Sequence, residues 1–168
     1  EFDEEEEMEL QQHIDSLPQL DDHNFDELIE RFEVVLVAFG APWCPWSQRL
    51  EPVWLKTFQR IEEDEELSGG QAMVAKVDCT QPDAQRLCQR QHIHAFPTIR
   101  VFRHSLAHAH ENYLGDRDSD AFIDFLKESL PHKRPHAGNG LKKEKVAGQV
   151  VEAGMTNQAE GCRLQGTL

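Results

Sequence analysis

Apolar positions along the chain fall into alternating helix-like and strand-like runs. Phe25, Leu28, Ile29 and Phe32 recur at i, i+3, i+4 and i+7, the spacing of one buried helix stripe. Residues 34–39 (Val-Val-Leu-Val-Ala-Phe) form a continuous apolar, β-branched run, which predicts a strand covered on both faces. Leu50, Trp54, Phe58 and Ile61 predict a second, longer helix that ends in the charged run Glu62 to Glu66. Residues 73–77 predict a second strand, Leu87 sits in a short helical stretch, and residues 99–102 predict a third strand. Phe122, Phe125 and Leu126 mark a last helix, with Asp118 or Ser119 as its cap. Alternating helices and strands in this order imply an α/β fold, a central mixed sheet with helices on both faces.

Charge divides the 168 residues into three sections and carries a formal net charge of −14. Residues 1–18 hold eight carboxylates and no Lys or Arg, and are expected to be a solvated lead-in without structure. Residues 19–131 hold the apolar periodicity and are expected to be the folded domain. Residues 132–168 turn to Lys, His, Gly and Asn and are expected to be a polar, flexible tail. No charged-then-apolar leader is read at Glu1, so a signal peptide is not expected within this chain. So acidic a chain is poorly suited to nucleic acid, whose phosphates need clustered cations. No apolar run approaches the roughly 20 residues of a membrane helix, so no membrane contact by this segment is expected.

Candidate chemistry is concentrated in residues 41–47, Ala-Pro-Trp-Cys-Pro-Trp-Ser, between the first strand and the helix that follows. A cysteine at a helix N-terminus faces unpaired backbone N–H groups and the positive end of the helix dipole. Both favour thiolate over thiol and pull the pKa down from about 8.5. The thiolate is the species that attacks disulfides. Cys44 is therefore placed to be reactive, and Trp43 and Trp46 offer apolar surface to an incoming polypeptide.

Trp43-Cys44-Pro45-Trp46-Ser47, followed by Leu50 and Pro52, resembles the active-site helix of the thioredoxin fold. Ala95-Phe96-Pro97-Thr98 is similar to the loop that holds a cis-proline opposite the active cysteine. Lys76-Val77-Asp78 and the stretch Tyr113 to Asp118 resemble the protein disulfide isomerase family in particular. The resemblance implies a thioredoxin fold over residues 19–131 and thiol–disulfide exchange with cysteine-containing client polypeptides. It implies Cys44, Ser47 and Arg117 as catalytic residues and Trp43, Pro45, Trp46, Phe96 and Pro97 as client-binding ones. A cis Phe96–Pro97 bond would expose backbone groups with which a client strand can pair. Arg117 matches an arginine that approaches the active sulfur, a plain surface arginine being the alternative.

Two departures shape the expected mechanism. Ser47 stands where the family has a second cysteine, so the thiol that would cut a trapped client loose is missing from the motif. Release is expected to wait for glutathione or another external thiol, no other cofactor being implied. That leaves isomerisation, reduction or covalent client capture, and no disulfide of the site's own to donate. The Ser47 hydroxyl is expected to hydrogen-bond the Cys44 thiolate. Ala38 stands where the family buries a glutamate that serves the second cysteine, and Lys76, that glutamate's usual partner, is expected to snorkel or to find another carboxylate.

Cys79 and Cys88 lie nine residues apart; the resemblance implies a structural disulfide, and two reduced buried thiols are the alternative. Cys162 is then expected to have no partner within this chain. His104, His108 and His110 share one loop, which is expected to be solvated rather than a metal site, and zinc-finger spacing is not met. Residues 161–166, Gly-Cys-Arg-Leu-Gln-Gly, are similar to the start of the lumenal domain of cargo receptors cycling between endoplasmic reticulum and Golgi. Membrane-anchored isomerases carry one thioredoxin domain inserted in such a receptor, which implies the early secretory pathway and a parent protein with an anchor.

Overall fold

The computed structural model of the chain describes residues 3–104, 110–131 and 161–163. Helix α1 spans Glu4–Ser16, α2 Phe25–Arg31, strand β1 Val34–Gly40, α3 Pro45–Glu63 and β2 Ala72–Asp78. After a 3₁₀ turn at Pro82–Ala84 come α4 (Gln85–Arg90), β3 (Ala95–Phe96), β4 (Thr98–Arg103), β5 (His110–Asn112), α5 (Ser119–Ser129) and β6 (Cys162–Arg163). The main sheet runs in the order β2-β1-β4-β5, with β1 parallel to β2 and antiparallel to β4. A second pair, β3 with β6, stands apart from it.

The apolar run at β1 sorts by parity onto the two sheet faces. Val34, Leu36 and Ala38 join Ala72, Val74, Ile99 and Val101 against α3 and α5, with Trp54, Phe58, Ile61, Phe122 and Leu126 as the helix side. Val35, Val37 and Phe39 join Ala75, Val77 and Phe102 against α2 and α4, with Phe25, Ile29 and Leu87. Every β1 residue from Val34 to Phe39 is buried, as a strand covered on both faces requires. The Trp54 indole N–H donates to the Ala75 carbonyl at 3.0 Å, so the polar atom of this buried ring is satisfied. Asp118 caps α5, its carboxylate accepting from the Ala121 N–H at 2.8 Å. At the other end of the same layer, Lys127 of α5 meets Asp64 at the C-terminus of α3 at 2.8 Å. The hydrogen bond from Lys127 holds the Asp64 carboxyl below its ordinary range.

Two expectations about the ends need correction. The acidic lead-in is helical, not unstructured: α1 covers most of it, with Glu4 to Glu7 in its first turn. Four carboxylates there complement the positive end of the helix dipole, which offsets their mutual repulsion. The solvated character stands, since residues 3–9 are exposed. The core also begins before residue 19: Leu17 is buried, and the Pro18 carbonyl accepts from the Lys76 N–H. At the other end, Gly161 to Arg163 forms structure with β3, so the tail is not uniformly a free linker. Residues 132–160 and 164–168 lie outside the described residues, as does His108.

Tyr113, the chain's single tyrosine, packs against Phe122 and Phe125, and its hydroxyl donates to the Asp116 carbonyl at 2.7 Å. Burial, with Asp118 and Asp116 adding negative charge, pushes its pKa up to about 12. A pKa raised on folding stabilises the folded form fully below the unfolded value near 10, and that contribution fades as pH rises through about 12. Ultraviolet titration should therefore show phenolate absorbance rising near pH 12 in the folded chain and near pH 10 in denaturant.

Candidate active site

β1 ends at Gly40, and α3 starts five residues later with Pro45 at its first position. Proline suits that position because its fixed φ matches the helix and its missing N–H would have had no partner. Cys44 is thus the N-cap residue, with extended backbone (φ −84°, ψ 120°). Its N–H donates to Ala41 and its carbonyl accepts the first helical bond, from Gln48. This end of the helix abuts the β3–β4 turn, where the Phe96–Pro97 peptide bond is cis. The Cys44 sulfur lies 3.7 Å from the Phe96 carbonyl oxygen. Trp43, 55% exposed, stacks edge-on against Phe96 with ring centroids 5.9 Å apart. Pro45 is exposed beside it, and Trp46 lies half-buried under the Arg49 guanidinium at 4.6 Å. The structure therefore brings Trp43, Cys44, Phe96 and Pro97 together at one end of the sheet.

Cys44 is not free. It is joined by a disulfide to Cys162, with Cα atoms 6.0 Å apart and a sequence separation of 118. This corrects two expectations, that Cys162 has no partner within the chain and that the site holds no disulfide of its own. The bond is supported by backbone pairing: β6 runs antiparallel to β3, with Cys162 opposite Phe96 and Arg163 opposite Ala95. Gly161 makes the approach feasible, because a Cβ there would stand 2.8 Å from the Phe96 carbonyl oxygen. With Cys162 bound, Cys44 has no exposed surface. As a disulfide sulfur it carries no proton, so its approach to the Phe96 carbonyl is a contact rather than a donated hydrogen bond.

Other expected roles shift in detail. The Ser47 hydroxyl accepts from the Ala41 N–H at 3.3 Å, an interaction that ties the loop before Cys44 to the helix after it. Among the described residues no hydrogen bond joins it to the Cys44 sulfur, which is here a disulfide sulfur and not the thiolate of that expectation. Gly40 leaves the room, since a Cβ there would lie 2.9 Å from the Ser47 oxygen. Arg117 points its guanidinium at the Pro97 carbonyl, at 3.5 Å, and so reaches the prolyl turn beside Cys44. Ala38 lines a cleft of about 180 Å³ together with Ser47, Pro97, Lys76 and Glu51. Lys76 pairs with Glu51 at 3.5 Å, a largely exposed carboxylate. Such a pair contributes little to stability. Among the described residues, no group of three or more His, Cys, Asp or Glu is arranged to hold a metal ion.

Cys79 and Cys88 are joined by a second disulfide, at the end of β2 and in α4. The Cys79 N–H donates to the Gly40 carbonyl, so this bridge braces the strand end from which the Cys44 loop departs.

Comparison with known proteins gives a consistent picture. The sequence model of one family, Thioredoxin, matches residues 3–128. Protein disulfide-isomerase 5-4 of Arabidopsis thaliana is 36% identical over 165 residues, covering 92% of this chain and 33% of the relative. Endoplasmic reticulum resident protein 44 of Mus musculus is 35% identical over 109 residues, covering 65% and 26%. Among solved structures, human ERp44 superposes with a TM-score of 0.60 at 32% identity, covering 67% of this chain and 29% of that one. The chain spans about a third of the length of the curated relatives it matches.

Replacing Cys79 and Cys88 together by Ser should lower stability by roughly 2.5–3 kcal/mol, the chain-entropy value for so short a loop. Urea unfolding without reductant measures it, and an unchanged midpoint would mean the bridge braces nothing.

Proposed function

Because the chain belongs to the thioredoxin family, we propose that it carries out thiol–disulfide exchange on cysteine-containing client polypeptides through Cys44, in the lumen of the endoplasmic reticulum. The location rests on relatives whose names place them there, among them endoplasmic reticulum resident protein 44. One observation supports the chemistry above all others. A strand of polypeptide lies antiparallel against Ala95–Phe96 with its cysteine bonded to Cys44. A client's mixed disulfide needs the same arrangement: backbone pairing that is indifferent to sequence, and one sulfur–sulfur bond.

Once reduced, Cys44 attacks a client disulfide as thiolate, favoured by the backbone N–H groups at the start of α3. One client sulfur bonds to Cys44, and the other leaves as thiolate and takes up a proton. Trp43 and Trp46 flank the sulfur with apolar surface, and Phe96 and Pro97 supply the edge on which the client strand lies. Ser47 and Arg117 hold the loop and the prolyl turn in register by their bonds to Ala41 and Pro97. The Cys-Pro-Trp-Ser motif itself contains one sulfur, so exchange confined to the motif is isomerase or reductase chemistry, and oxidation of a client would have to draw on the Cys44–Cys162 disulfide.

The Ser47 position favours a second reading, covalent retention of clients without efficient turnover, because no thiol within the motif can free them. Refolding of a scrambled disulfide substrate in glutathione buffer separates the two. The exchange reading expects multiple turnovers per chain, with Cys44→Ala falling to the uncatalysed rate. A stoichiometric, long-lived Cys44 adduct would favour retention, and full activity in Cys44→Ala would exclude Cys44 from the chemistry altogether.

A further inference from the structure

We infer that Cys162 is the resolving cysteine of this site, a catalytic residue supplied from beyond the domain to do what Ser47 cannot. The inference rests on Cys44 being the attacking thiol, as proposed above. Three observations point to it independently of the motif. The Cys162 sulfur is bonded to Cys44 and not to either of the other two cysteines, which bond each other. Its backbone is registered on Phe96, so the bond sits in a pairing site and is not a casual crosslink. Gly161 leaves the Phe96 carbonyl unobstructed, where any side chain would collide.

Atoms and electrons balance without another reactant. A client disulfide meets the chain with Cys44 and Cys162 both reduced. The Cys44 thiolate attacks one client sulfur, and the other client sulfur leaves as thiolate. Cys162, as thiolate, then attacks the Cys44 sulfur of the mixed disulfide. The Cys44–client bond breaks, the second client sulfur departs as thiolate, and the Cys44–Cys162 bond forms. The client disulfide has gained two electrons, and the two chain thiols have lost them. A low-molecular-weight thiol such as glutathione returns the pair to the reduced state for another cycle. Because attacker and target belong to one chain, release is unimolecular and independent of external thiol concentration.

The same geometry makes the tail a competitor of its own clients. Client strand and β6 need the same edge of β3, so the incoming Cys162 segment displaces the client backbone as it breaks the client's covalent bond. Twenty-nine residues (132–160) separate the end of the domain at Pro131 from Gly161.

The test is a single-turnover experiment on the full 168-residue chain, reduced, freed of reductant and mixed with a fluorescent peptide disulfide homodimer. Acid quenching and mass spectrometry follow the Cys44–peptide adduct. The wild-type chain should form it transiently and release it with no thiol added, ending as the Cys44–Cys162 disulfide. Cys162→Ser should accumulate the adduct, which should persist at least tenfold longer and decay in proportion to added glutathione. Adding Ser47→Cys to the Cys162→Ser chain should restore fast release, a rescue that a purely structural role for Cys162 would not produce. Equal adduct lifetimes in wild type and Cys162→Ser would overturn the inference while leaving Cys44 as the attacking thiol. No adduct in either chain would overturn both.

Discussion

Everything at this site depends on one juxtaposition: the start of α3 is pressed against the prolyl turn that opens β4. β1 sets one side of it and β4 the other, and the two strands are hydrogen-bonded neighbours in register from Val34 to Phe39. Cys44 emerges at the end of the first and Pro97 precedes the second, so the sheet itself fixes their separation. The helix end contributes backbone donors, which favour an anion, and the turn contributes the strand edge on which β6 lies, which suits extended polypeptide. Neither feature alone makes an exchange site. Together they hold the Cys44 sulfur beside an edge on which an extended strand pairs, the arrangement that the proposed exchange requires.

That arrangement explains why the departures from the dithiol pattern occur together. Ser47 turns its hydroxyl to Ala41 and stiffens the loop, Ala38 leaves a cleft in place of a buried carboxylate, and Lys76 turns to an exposed Glu51. A site with no second thiol in its motif has no need of a buried proton acceptor beneath it. The sulfur bonded to Cys44 comes instead from 118 positions along the sequence, on a strand paired with β3. The domain's other disulfide, Cys79–Cys88, adjoins the strand end from which the Cys44 loop departs.

Most of the architecture was legible because apolar periodicity is strong where burial is strong. The run at β1, the helical stripe at Leu50, Trp54, Phe58 and Ile61, and the Asp118 cap each carry a local signal that tertiary packing did not override. β5 left no such trace, since His110 to Asn112 is exposed throughout and buries no apolar side chain, pairing with β4 through its backbone and the Arg103–Glu111 ion pair. α1 was masked by its own charge, because a run of glutamates reads as repulsive until the helix dipole is counted with it. The pairing of Cys162 was illegible for a different reason. Disulfide partners are chosen by position in space, and two residues of β6 carry no periodicity from which a docking site could be read. Gly161, beside a cysteine and opposite a carbonyl that tolerates no Cβ, was a faint local hint, but it acquires meaning only once Phe96 is seen next to it.

The most direct measurement is disulfide mapping of the oxidised chain: alkylation under denaturing, non-reducing conditions, proteolysis, and mass spectrometry of the linked fragments. The account predicts two linked pairs, one joining the peptide that contains Cys44 to the peptide that contains Cys162, the other joining Cys79 to Cys88. Recovery of Cys162 as an alkylated free thiol, with Cys44 alkylated or linked to anything else, would contradict it.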